Sequence, residues 1–491
     1  MTGCGISGRI FARPGNEPAF SAAADSGFGG AVPALGRAAG RGEKTGSAPG
    51  KAAAAFVPHD NRPISDEQTA DTLRMMEWDI AVPPDDILGG RGILGDPEAV
   101  WQWLEKEAPA SQIAVVSSDT LLYGSLVGSR KHDYSLAEIE KRLHRFQEFK
   151  HRHPSLQLYV FGSIMRTPRS AEASGGEEPG YYASYGSDIF RYTALSDKKE
   201  TEGLTRREKK EYEFLQKLIP QAALDDWMVR RDKNFKANQR LIELAREGLF
   251  SYLALGRDDN APYSQTHMES RKLQKAGQDL GPARFQAMAG IDEFGLMMLT
   301  RAVNDWTRTV PFVYVKYNWG RGGDTVPTYS DEKISDTVKA HITATGALLV
   351  ASPKNADFVL CVNTNPNGKT YEANDRANDG KPREGTKYFV NLVAESVDAG
   401  PTCVADIAYA NGADNALMEA LKGRDLLFKL RAYSGWNTAT NSTGFVLCQG
   451  MLSAKMEPDA YDQLLLRRYL DDWAYQANVR GVVARQLGWL R

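Results

Sequence analysis

The chain has 491 residues, 42% hydrophobic and 25% charged, the balance of a globular protein. Lys and Arg total 60 against 62 Asp and Glu, a net charge of −2, which argues against nucleic-acid binding through bulk positive charge. No run reaches the roughly 18 uncharged apolar residues of a membrane span, and Cys4, Cys361, Cys403 and Cys448 form neither a metal motif nor a disulfide framework.

Few, widely spaced cysteines make a reducing, cytoplasmic setting the expectation. Residues 1–50 hold 12 Gly, 10 Ala and a single Leu, with no apolar periodicity. Such a segment buries too little surface to offset its ordering entropy, which predicts a disordered tail over residues 1–52. It lacks the apolar centre of a signal peptide. Gly3 to Gly8 reads as G-x-G-x-x-G, but no strand precedes it, so it is not a dinucleotide site.

From residue 53 onward, short apolar runs recur at 55–58, 79–82, 112–117, 157–163, 250–256, 286–291, 311–316, 347–350, 357–362, 402–408 and 426–432. Most are continuous rather than alternating, as in strands buried on both faces of a parallel sheet. Helical patterns lie between them, at 66–76, 98–107, 135–151, 206–218, 234–247, 331–345, 413–422 and 459–487. The clearest opens with Ser135 and Glu138 as a capping box. This alternation predicts an α/β fold with mainly parallel sheets. Eleven strands exceed the eight of a barrel, so two lobes are expected. One is 53–308, with a helical insertion at 170–245. The other is 309–491, ending in a C-terminal helix. The alternative is a β/α barrel with an appended α/β unit. The charged stretch from Lys198 to Glu213 reads as a solvated helical face.

Ligands of parallel α/β folds sit at the carboxyl ends of the strands. Polar residues collect there: Asp60 and Arg62; Asp119, Tyr123 and Arg130; Arg166; Arg257, Asp258, Asp259 and Asn260; Asp292 and Glu293; Asn411; and Tyr433, Trp436, Asn437 and Asn441. The adjacent pair Asp258–Asp259 is the sharpest chemical signal. Like charges this close raise one proton affinity and place a proton donor beside an ionised partner. Asp119 or Asp292 would supply the opposing carboxylate. Tyr433 and Trp436 offer stacking faces, while Asn437 and Asn441 offer amide hydrogen bonds, the mixture a sugar ring needs. Arg62, Arg130, Arg166 and Arg257 would grip an anionic group if they converged. His59 and His267 lie near strand-end motifs and read as structural. No nucleotide, zinc-protease or esterase motif is present, and no resident cofactor or metal is expected. Asp119 and Asp258 nonetheless carry oxygen ligands of the type a divalent ion takes.

Several of these motifs carry a resemblance. Phe56 to Pro63, Ser118 to Gly124 with Ser129-Arg130, Asp258-Asp259-Asn260, and Tyr433 to Asn441 occur in this order. Together they resemble a bacterial family catalogued as domain of unknown function 4127, over roughly residues 55–455. His59 departs from the Leu usual there, and the glycine-rich tail has no counterpart. The resemblance carries no established activity. Two readings therefore rest on the residues themselves. One is a hydrolase of a carbohydrate or amino-sugar-like substrate, with Asp258, Asp259, Asp119 and Asp292 as acid/base carboxylates. The other is a non-catalytic binder of a small polar or anionic ligand. Neither calls for a nucleic-acid or membrane partner.

Overall fold

Ten of the eleven apolar runs become strands of two open, wholly parallel sheets in a computed structural model that describes residues 52–90, 92–171 and 175–489. The predicted tail, and Gly3 to Gly8 within it, lie outside the described residues apart from Ala52. The first sheet contains β1 (Ala53–Val57), β2 (Asp79–Ala81), β3 (Ile113–Ser117), β4 (Gln157–Ile164), β5 (Tyr252–Arg257) and β6 (Phe285–Ala289), in the order β2-β1-β3-β4-β5-β6. The second contains β7 (Phe312–Tyr317), β8 (Leu348–Leu349), β9 (Phe358–Asn363), β11 (Thr402–Asp406) and β13 (Ala432–Ser434), in the order β13-β11-β9-β7-β8. Two short strands, β10 (Tyr371–Glu372) and β12 (Tyr409–Ala410), pair outside both sheets. Each sheet has two free edges, so the barrel alternative does not hold. The two sheets share one doubly wound order, in which the chain reverses direction between the first and third strands. Ligand crevices open at that reversal.

Most of β3, β4, β5, β9 and β11 is buried, which explains their unbroken apolar runs. Between β4 and β5 the chain inserts helices at Tyr182–Thr201, Arg206–Leu218 and Gln221–Arg246. Of the 13 residues in the second, only Leu215 is buried, as its charged sequence predicts.

Three local expectations are corrected. The run at 426–432 is a 3-10 turn (Leu427–Lys429) before β13, and Leu426 and Leu430 supply its apolar signal by packing into the core. Directly after β3, where no helix is among the predicted elements, short helices form at Ser118–Tyr123 and Leu126–Lys131, capped by Ser117 and Ser125. The C-terminal helix is three segments: Pro458–Arg468, a π-helix over Tyr469–Val479, and Arg480–Trp489.

The helix Ala439–Ser453 was not anticipated, and it joins the two lobes. Every one of its residues is buried. Phe445, Cys448 and Leu452 pack into the first lobe's core with Phe56, Phe161 and Met297. Val446, Leu447 and Met451 pack under the second sheet with Leu360 and Cys403. At about 1.5–3 kcal/mol per buried large apolar side chain, both faces contribute strongly to holding the lobes together. Gly444 and Gly450 let the neighbours approach. A Cβ on Gly444 would lie 2.3 Å from Cγ of Glu293, and one on Gly450 would lie 2.6 Å from Sγ of Cys403.

Gly444→Ala is therefore expected to destabilise the protein by about 1–3 kcal/mol through overpacking. Gly423→Ala, at a helix end where the added Cβ meets nothing within 4 Å, is expected to be close to neutral. Urea denaturation of both variants checks this, and equal stability would contradict the tight seat of this helix.

Candidate functional site

The strand ends of the first sheet build the floor of a cavity of about 380 Å³. After β1, Asp60 turns back on Arg62, accepting its backbone N–H at 3.1 Å and its Nε at 2.7 Å. This leaves Nη2 of Arg62 to reach across to Oδ1 of Asp292, beyond β6, at 2.5 Å. His59 lies in the same knot, with Nε2 3.2 Å from Oδ1 of Asp292 and 3.1 Å from Oγ of Ser65. After β3, Arg130 extends from the short helix Leu126–Lys131 and donates to Asp258 at 2.6 Å and to Glu177 at 2.7 Å. After β4, Arg166 donates to Asp259 at 2.7 Å and to Glu178 at 2.8 Å.

The second lobe supplies the facing wall. Asn437 donates from Nδ2 to Oδ2 of Asp292 at 3.1 Å, and its carbonyl accepts from the backbone N–H of Asn411 at 2.7 Å. Trp436 lines the same wall and meets Phe445 edge to face. Asp259, Asn411 and Asn437 all hold left-handed backbone, with φ of 38°, 62° and 58°. Asp and Asn tolerate that region better than other side chains, and such conformations cluster where the surrounding structure imposes a site geometry.

The carboxylates differ in proton affinity. Burial, reinforced by the charge of Asp259 and opposed by Arg130 and Arg166, pushes Asp258 up to about 7. Burial likewise raises Asp259, against the pull of Arg166. Burial would raise Asp292 too, but Arg62 and His59 outweigh it and hold this carboxyl well below the usual range. Arg130 and Arg166 do the same for Glu177. Behind the floor, burial lifts Glu293 to about 8 despite its bond from Asn441.

Of the residues expected at a site, Arg62, Arg130, Arg166, Asp258, Asp259, Asp292, Asn411, Trp436 and Asn437 line this one cavity. The structure places the others elsewhere. Asp60 stands behind Arg62. Asp119 is buried, with its two oxygens taken by the N–H and Oγ of Ser163 at 2.8 and 3.0 Å, so it ties two strand ends together. Tyr123 stacks on His132 in the interior. Asn260 accepts from Ser264 at 2.7 Å, and Tyr433 donates to Asp406 at 2.9 Å. Asn441 is the third residue of a capping box with Thr438 and donates to Glu293 at 2.6 Å. Arg257 turns away to Asp331 and Glu332. Polar residues at strand ends thus divide between the cavity and the capping of local structure. His267 pairs with buried Asp197 at 2.7 Å, outside the cavity. Among the described residues, no three His, Cys, Asp or Glu side chains gather as metal ligands.

Glu177, Gln476 and Arg480 also line the cavity and were not anticipated. Glu177 belongs to a loop rich in Gly, Glu and Pro. Gln476 and Arg480 belong to the C-terminal helix, which no strand-end rule reaches. A hollow of about 730 Å³ beside the inserted helices is larger and more open. Tyr181, Tyr185 and Pro220 line it, and it gathers none of the strand-end carboxylates.

Fold and site define a two-lobed parallel α/β protein with an arginine–carboxylate cavity at its strand ends. The chain belongs to the family described as protein of unknown function DUF4127, whose sequence profile matches residues 54–491. Neither a curated protein nor a solved structure matches it. No helix among the described residues is long and apolar enough to cross a membrane.

The raised Asp258 gives a signed expectation. Between about pH 4 and 7 the folded state keeps a proton that the unfolded state has released. Stability from this group is therefore full at low pH and lost as pH rises through 7. Asp258→Asn removes that dependence. Its stability relative to the wild type should shift in the variant's favour between pH 5 and pH 8, by on the order of 1–3 kcal/mol. Urea titrations across this range read the difference, and a constant offset at every pH would contradict the assignment.

Proposed function

We propose that the cavity is the active site of a hydrolase acting on a carbohydrate or amino-sugar-like substrate by carboxylate acid/base catalysis. One observation carries this reading: within one cavity, Asp258 favours its proton while Asp292 is held ionised. Carboxyls whose surroundings drive their proton affinities apart are suited to opposite tasks at a single bond. Asp258, supported by Asp259, donates a proton to the departing oxygen. Asp292, oriented by Arg62 and His59, either activates water or stabilises positive charge on the ring carbon. Trp436 offers a flat face to the ring, and Asn411 and Asn437 offer amides to its hydroxyls. The near-neutral composition supports a small polar substrate rather than a nucleic acid. A cytoplasmic setting fits Cys361 and Cys403, which stay unpaired on the adjacent strands β9 and β11.

A second reading has an observation of its own. Each carboxylate lining the cavity accepts a bond from an arginine of the same wall. Fully paired charges also suit a protein that grips a sugar without transforming it.

Turnover on a panel of nitrophenyl glycosides separates the two. The hydrolase reading expects Asp258→Asn and Asp292→Asn to lower kcat/KM by about 10²–10⁴-fold. It also expects the wild-type rate to fall above about pH 7, as Asp258 loses its proton. Sugar binding by a wild type that cleaves nothing would favour the binder. Undiminished turnover by both Asp258→Asn and Asp259→Asn would end the assignment to this pair.

A further inference from the structure

Resting on the reading of the cavity as a sugar site, we propose that its ligand is a sugar acid whose carboxylate is bound by Arg480 and Gln476 of the C-terminal helix. The three arginines of the floor are already satisfied. Arg62 pairs with Asp60 and Asp292, Arg130 with Glu177 and Asp258, and Arg166 with Glu177, Glu178 and Asp259. Six carboxylates therefore share three guanidiniums, and this end of the cavity accepts hydroxyl hydrogens rather than anions.

The fourth arginine differs. Arg480 lines the same cavity and is exposed, and its guanidinium donates to the neutral amide oxygen of Gln476 at 2.9 Å. No ion pair joins Arg480 to a carboxylate among the described residues. Among the described residues, it is the cavity's one arginine that no carboxylate answers. A guanidinium fork matches a carboxylate geometrically. A single guanidinium also balances a single negative charge. A phosphate dianion would leave excess charge facing Glu177 and Asp259.

The position of Arg480 is built rather than incidental. Arg468 and Asp472 form a buried pair at 3.3 Å where the π-helical segment begins. Asp472 accepts from the N–H of Gly435 at 2.8 Å, directly before Trp436. Its carbonyl accepts from the N–H of Ala413 at 3.0 Å. Gly412, at φ 145°, lets the helix close in, since a Cβ there would lie 2.8 Å from N of Ala477. One anchor thus sets both Trp436 and the turn that presents Gln476 and Arg480. A ring on Trp436 would keep its hydroxyls toward the Asp258 end and its carboxylate toward Arg480.

Calorimetric titration of the full chain with two matched pairs tests this: glucose against glucuronate, and N-acetylglucosamine against N-acetylmuramic acid, with glucose 6-phosphate as a third anion. The acid of at least one pair is expected to bind at least about tenfold more tightly than its neutral partner. Arg480→Ala should bring that ratio within about twofold, and Arg480→Lys should restore part of it. A thermal midpoint checks that each variant is folded. Equal binding of acid and neutral sugar, a ratio that survives Arg480→Ala, or tighter binding of the phosphate overturns the inference while leaving the sugar site standing. Failure of all five probes to bind overturns both.

Discussion

One helix has to satisfy two hydrophobic cores at once, and the candidate site follows from that constraint. Ala439–Ser453 lies between the sheets with no solvent face, pressing Phe445 and Leu452 into one lobe and Val446 and Met451 into the other. Its axis is therefore fixed from both sides, and its first turn is fixed with it. Thr438 caps that turn, Asn441 completes the box and reaches Glu293, and Trp436 and Asn437 project into the cavity just before it. The bond from Asn437 to Asp292 is then a direct link between lobes, at the place where acid/base work is proposed. Rotating this helix would disturb the packing of both lobes and that bond together.

The chemistry of the floor follows from an imbalance between acidic and basic groups in a confined space. Taking a carboxylate out of water is costly unless a cation answers it. Arg62 answers Asp292 so closely that the proton is driven off. Arg130 and Arg166 are shared among Asp258, Asp259, Glu177 and Glu178, and against their pull burial still raises the proton affinity of both Asp258 and Asp259. Asp119 shows that carboxyl chemistry alone does not mark a site. Burial raises it to about 6, yet its oxygens are occupied by Ser163 and do not line the cavity.

Much of the architecture was legible because both sheets are parallel and buried, so their strands read as unbroken apolar runs. Nine of the residues expected at strand ends do share one cavity, because the doubly wound order aims those ends the same way. The helix Ala439–Ser453 escaped because burial on every side removes the polar face from which helical periodicity is read. Asn441 and Tyr433 were misassigned for a related reason: the polarity needed to cap a buried helix, or to satisfy the buried Asp406, looks in sequence like the polarity needed to bind a ligand. Arg257 is the last residue of its strand and turns away from the cavity, a choice of face that a position in sequence cannot specify. Arg480 had no local signal at all, since its place depends on a helix returning across the second sheet.

That return has an energetic consequence. The cavity is assembled from Arg62 near one end of the folded region and Arg480 near the other, with contributions from both lobes between them. Neither lobe alone presents it, so the competent site exists only when both sheets, the shared helix and the C-terminal helix are in place. A ligand that binds only this state stabilises all of them together, by about 2.7 kcal/mol at one hundred times its dissociation constant. The buried Arg468–Asp472 pair makes the coupling steep. Detaching the C-terminal helix would expose two charges that hold each other and the Gly435 turn, so the wall bearing Trp436 and the arm bearing Arg480 should be lost together.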